Sequence, residues 1–144
     1  MIEQDTVKLL RECDAGVQMG ISSIEDVLPH VKSDAFRRCL EDCRSEHQKL
    51  DRGLQAHLDN CHDEGKSPNP IAQGMSWVKT NVKLAVEESD ATIASLMTDG
   101  CNMGVKSLHR YLNRYKAADE PSKAIAHRLI DLEEQLAQDI RQYL

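Results

Sequence analysis

From Val7 to Leu28 the residues Val7, Leu10, Asp14, Val17, Ile21, Ile24 and Leu28 follow one another in steps of 3,4,3,4,3,4. Steps that alternate in this way set side chains in one stripe along an α-helix, which turns once every ~3.6 residues. The same steps return 84 residues later as Ala91, Ala94, Thr98, Cys101, Val105, Leu108 and Leu112. Inside both runs sits a matching motif, Gly16-Val-Gln-Met-Gly-Ile21 and Gly100-Cys-Asn-Met-Gly-Val105. A shared motif in a shared phase points to two equivalent helices in a pseudo-symmetric bundle. Each Gly-x-x-x-Gly lets a neighbouring backbone approach closely, at a helix-propensity cost of ~1 kcal/mol per glycine.

Two further stripes complete the pattern. Phe36, Leu40, Cys43, His47, Leu50, Leu54, His57 and Cys61 form one, and Ile125, Leu129, Leu132, Leu136, Ile140 and Tyr143 form the other. Punctuation residues predict where the helices begin and end. Asp5 is placed to N-cap the first, and Pro29 stops it because the residue before proline avoids helical geometry. Ser33 or Asp34 starts the second and Gly65 closes it. Asp90 caps the third, which runs to about Ala117, and Asp119-Glu-Pro121 opens the fourth.

Connection lengths then set the topology. The first and second helices are joined by a few residues, as are the third and fourth, so each pair is an antiparallel hairpin. Between them lies a long crossover. It opens on the turn-forming Gly65-Lys-Ser-Pro-Asn-Pro70, and Ile71, Met75, Val78, Val82 and Ala85 predict a short extra helix capped by Asn69. A crossover of this length can return along the bundle and let helices two and three run parallel. The expected fold is therefore a single all-α domain over residues 1–144, a ferritin-like four-helix bundle with a long crossover.

Composition agrees with this fold. With one Trp, one Phe and three Tyr, the core must be filled by aliphatic residues, Met and Cys, which suits helix-on-helix packing better than a β-sandwich. The formal charge of −6 and the absence of Lys/Arg runs argue against a nucleic-acid partner. No apolar stretch approaches the ~20 residues that span a bilayer, and the opening residues lack a secretion signal, so no membrane role and a cytoplasmic location are expected. Five cysteines without a Cys-x-x-Cys pair (Cys13, Cys39, Cys43, Cys61 and Cys101) fit free thiols in a reducing compartment.

Leu9-Leu10-x-x-Cys13-x-x-Gly16, the crossover segment Gly74-x-x-Trp77, and Gly100 with Leu108-His-Arg-Tyr-Leu112 resemble a bacterial family of small ferritin-like bundle proteins whose function is uncharacterised. The resemblance covers about Asp5 to Tyr143 and implies the same bundle. In that family a Glu commonly follows the glycine of both repeats, where this chain has Val17 and Cys101.

A di-iron carboxylate centre needs a Glu from each of two helices and Glu-x-x-His from each of the other two, because that spacing aims both side chains at one metal pair. No Glu in this chain has His three residues on. Substitute ligands for iron, manganese or zinc are Asp14 and His47 on core stripes, with Glu46, Asp99 and Glu133 beside them. The alternative is that Asp14 and His47 satisfy each other as a core hydrogen bond, since a lone buried carboxylate is costly. His57-x-Asp59-x-Cys61-His62 is a second, weaker metal candidate at the end of helix two. Cys39 and Cys43, one turn apart with Arg38 and Arg44 near in sequence, raise a thiol sensor as a further reading. His30, His109 and His127 fall off the stripes and are expected at the surface. Met75, Trp77 and Val78 in the crossover suggest a homodimer or another protein partner. The leading expectation is a structural or interaction bundle without a standard di-iron centre, no cofactor expected; the alternatives are a di-metal protein and a thiol sensor.

Overall fold

The computed structural model describes residues 2–61 and 89–144, and nothing of the short helix expected at Ile71–Ala85 or of Met75, Trp77 and Val78 falls within them. Four long helices and no strand are found among the described residues: α1 (Ile2–Val27), α2 (Asp34–Asn60), α3 (Asp90–Arg114) and α4 (Glu120–Asp139). Short 3-10 turns follow α1 at Leu28–His30 and α4 at Arg141–Tyr143. Pro29 does end α1, and Ser33 caps α2 by accepting a hydrogen bond from the Phe36 N–H at 3.3 Å. Asp119 caps α4, accepting from Ser122 N–H at 2.9 Å, with Pro121 in the first turn.

Four expected boundaries shift. Helix α2 ends at Asn60 with Cys61 as its C-cap, short of Gly65, which lies outside the described residues. Helix α1 begins at Ile2, so Asp5 lies inside it, and the Asp5 carboxylate accepts from the Ala117 N–H at 3.0 Å instead of capping its own helix. Ser89, not Asp90, is the N-cap of α3. The Asp90 carboxylate is turned outward to the link between α1 and α2, where it accepts from the N–H groups of Lys32 at 2.8 Å and Ser33 at 2.9 Å. Helix α3 ends at Arg114, three residues before Ala117, and Ala117 and Ala118 belong to the turn that leads into α4.

These end contacts give the directions of the helices. The start of α1 meets the α3–α4 turn, where Thr6 Oγ1 accepts from the Asp119 N–H at 2.8 Å. The α1–α2 link meets the start of α3. Helices α1 and α3 are therefore antiparallel, while α2 and α3 both start at the Asp90 end and run parallel. At that same end Phe36 from the start of α2 stacks on Tyr143 beyond α4, with ring centroids 4.5 Å apart. The C-terminus of α2 and the N-terminus of α3 thus lie at opposite ends of the bundle. Helix α1 packs against all three others, as does α4, which makes them the close diagonal.

The core comes in two apolar halves. Ile24, Val27, Phe36, Leu40, Ile93, Met97, Leu136 and Ile140 belong to the half at the Asp90 end. Leu9, Leu10, Val17, Leu50, Leu54, Leu108, Leu129 and Ile130 belong to the other. Each helix has a gap between its two contributions. In α1 the gap holds Gly20, in α2 His47, in α3 Gly104 and in α4 Glu133. One polar layer crosses the middle of the bundle.

Candidate functional site

His47 fills that layer. It is 1 % exposed, and both its ring nitrogens face oxygen. Nδ1 lies 2.8 Å from the Cys43 carbonyl, one turn back on α2, and Nε2 lies 3.1 Å from Glu133 Oε1 on α4. A carbonyl only accepts, so Nδ1 carries a proton. The Nε2···Oε1 contact needs a second proton, because two lone pairs would otherwise face each other. Burial alone would push the imidazolium toward losing its charge. The contacts with Cys43 and Glu133 outweigh it and raise the His47 pKa to about 10. The pair is thus an imidazolium donating to a carboxylate, taken out of water between two apolar halves.

The glycines make room for it. A Cβ on Gly20 would come within 2.9 Å of His47 Cδ2 and Nε2, closer than side chains tolerate. A Cβ on Gly104 would only touch Glu133, at 3.7 Å. The second glycine of each repeat therefore borders the His47–Glu133 pair, one from α1 and one from α3. Cys101 and Cys43 complete the surroundings. Cys101 is buried, and burial together with the Glu133 charge and a hydrogen bond to it raises its thiol far above the ordinary range. Cys43, half-buried, places Sγ 3.5 Å from His47 Nδ1.

The five sequence candidates do not converge on one point. His47 and Glu133 meet. Asp14 is buried, but its Oδ1 accepts from Gln55 Nε2 at 2.9 Å, so it is not the partner of His47. Gln55 also donates to Asp51 at 3.2 Å, and Gln18 donates to Asp51 at 3.1 Å. This makes a separate network between α1 and α2. Burial first, and then the Asp51 charge, raise the Asp14 pKa against the Gln18 and Gln55 hydrogen bonds. Glu46 turns away from the core toward Lys49 at 3.3 Å and Arg128 at 3.6 Å, and Asp99 is exposed. Among the described residues no group of three or more His, Cys, Asp or Glu is arranged to hold a metal ion. A di-metal centre does not fit the donors as they stand, since His47 and Glu133 are each other's partner and three carboxylates point elsewhere.

The second candidate cluster is also divided. His57 Nε2 lies 3.3 Å from Asp119 Oδ2, binding the end of α2 to the cap of α4, while His62 lies outside the described residues. Burial works against the Asp119 charge, but the Ser122 hydrogen bonds and then His57 hold its carboxyl below the usual range. Cys39 was a candidate thiolate, yet burial first and then Asp139, Cys43 and Asp42 push it up to about 11. Arg44 is turned to Glu25 of α1 at 3.9 Å. His109 and His127 are exposed and His30 is half-buried.

Sequence reasoning overlooked Gly20, Gly104, Cys101 and the Cys43–His47 contact as parts of one layer. The signals were present: the second glycine of each repeat, and a Cys and a His one turn apart on the same stripe. The chain matches no protein-family model, no curated protein and no solved structure. No described helix is long and apolar enough to cross a membrane.

Proposed function

We propose that this chain is a ferritin-like bundle acting as a structural or interaction protein, in which a protonated His47–Glu133 pair stands where a di-iron centre would otherwise be built. The observation that carries the reading is that both His47 ring nitrogens are taken by protein oxygens, at 2.8 and 3.1 Å. A metal bound at Nε2 must displace the proton shared with Glu133, and Asp14 and Glu46 are engaged by other side chains while Asp99 is exposed. Parallel α2 and α3 support the ferritin-like arrangement, because that bundle places its long crossover between two parallel helices. A centre whose imidazole is already held at both nitrogens favours a scaffold that works through its surface, with a second copy or another protein as partner and the cytoplasm as its location.

Elemental analysis of protein grown in iron-, manganese- and zinc-supplemented medium and purified without a His-tag tests this. The expected result is folded protein with well under one metal per chain, and no gain after incubation with the same ions. Near-stoichiometric metal that is lost in both His47→Gln and Glu133→Gln overturns the reading in favour of a metalloprotein with rearranged ligands.

A further inference from the structure

Cys43, His47 and Glu133 stand in a line from the half-buried edge of α2 into the core. Sγ is 3.5 Å from Nδ1, and Nε2 is 3.1 Å from Oε1. Activated nucleophiles have this order: a thiol, an imidazole beside it, and a carboxylate that orients the imidazole from behind. We propose that Cys43 is a nucleophilic thiol, activated by the His47–Glu133 pair and modified by small uncharged α,β-unsaturated carbonyl compounds.

The argument is electrostatic and local. With oxygen acceptors at both nitrogens, the imidazole carries two protons and a positive charge, and the Nδ1 edge of that charge faces Cys43. The proton on Nδ1 is shared between the Cys43 carbonyl at 2.8 Å and the Cys43 sulfur at 3.5 Å. A thiol beside an imidazolium ionises more readily. Glu133 lies on the far side of the ring, so its opposing charge acts at a longer distance than the cation does. The other titratable groups nearby are Cys39 and Asp42 on α2, Cys101 on α3 and, beside Cys39, Asp139 on α4; the two carboxylates oppose negative charge at this edge, and the imidazolium at 3.5 Å from the Cys43 sulfur offsets them there. From α1 the ring is faced by Gly20, which brings no charge. Cys43 is half-buried against the apolar half of the core that holds Phe36 and Ile140, which favours an uncharged reagent over an ionic one.

The step balances simply. The Cys43 thiolate gives its electron pair to the β-carbon, the S–C bond forms, and the C=C pair moves to the enolate. The enolate takes a proton from water, leaving a thioether. Nothing is oxidised and nothing leaves.

This inference shares one premise with the scaffold reading, that His47 carries a proton and not a metal. The test is site-resolved labelling of the folded protein with N-ethylmaleimide between pH 5 and 9, each cysteine followed by peptide mass spectrometry. Cys43 is expected to label first, ~10-fold or more faster than Cys39 across this range. Cys39, on the same helix one turn earlier and without an imidazole partner among the described residues, is the internal comparison. In His47→Gln and Glu133→Gln the Cys43 labelling rate is expected to fall ~10-fold or more while the Cys39 rate is unchanged. Circular dichroism confirms that a variant is folded before its rate is read. Wild-type protein in which Cys43 labels no faster than Cys39 overturns the proposal without either variant. If Cys43 is protected until a chelator is added and then labels ahead of Cys39, the thiol proposal stands and the metal-free scaffold reading fails.

Discussion

At the residue scale the decisive pair is His47 and Glu133, and its dependence on pH follows from the direction of the His47 shift. A histidine raised from about 6.5 to about 10 on folding gives stability that is complete below 6.5 and is lost as pH rises through 10. Glu133→Gln keeps the shape and removes the charge, so the variant is expected to be less stable than wild type by about 3 kcal/mol at pH 6. That gap closes as pH approaches and passes 10. Urea denaturation of both proteins from pH 6 to 11, each carrying Cys101→Ala because the Cys101 thiol also responds to the Glu133 charge, reads it. A gap that stays constant with pH means His47 is neutral in the fold. Sequence alone placed His47 in the core and Glu133 beside it, but it could not pair them, because pairing depends on how α2 and α4 are rotated against each other. Asp14 is the converse. Its buried position was legible from the stripe, yet its partner Gln55 sits off the α2 stripe, so no periodicity pointed to it.

At the scale of the helix, the two glycines of a repeat have different consequences. Gly20 is where α1 comes close to His47, and an added methyl would have to move a ring that is held at both nitrogens. Gly20→Ala gains up to ~1 kcal/mol in helix propensity and loses ~1–3 kcal/mol to overpacking, so net destabilisation is expected. Among the described residues, a Cβ on Gly100 or Gly53 would meet nothing within 4 Å. Gly100→Ala and Gly53→Ala should therefore stabilise the protein by ~0.5–1 kcal/mol. Thermal unfolding of the three single variants is the measurement, and a stabilised Gly20→Ala would show that the polar layer yields easily. Four helices, their stripes and the Pro29, Ser33 and Asp119 boundaries were legible because each has a local cause. Asp5 and Asp90 were misplaced for the opposite reason. Both have good capping side chains, but their carboxylates are used by backbone N–H groups far away in the chain, which local propensity does not weigh.

At the scale of the whole molecule, each end of the bundle is closed by a tertiary latch across helices. At one end Asp90 accepts from two successive N–H groups of the α1–α2 link, and at the other Thr6 accepts from the Asp119 N–H. Each latch ties a chain reversal to the end of a helix from the other hairpin, so together they join the two hairpins where connection length alone does not. Asp90→Ala removes two charge-assisted bonds and is expected to cost ~1–2 kcal/mol. Thr6→Val leaves the partly buried Asp119 N–H without its acceptor in a position where Thr6 is 2 % exposed, a cost of about 1 kcal/mol. The latches lie at opposite ends and share no partner, so the double variant should lose the sum of the two within ~0.5 kcal/mol if the bundle unfolds as one cooperative unit. Urea denaturation of the two singles and the double, followed by helical circular dichroism, gives all three values. A double variant with a second, separate transition would mean that the two apolar halves, divided by the His47 layer, unfold independently. The pair at the centre would then be the joint between two folding units instead of the centre of one.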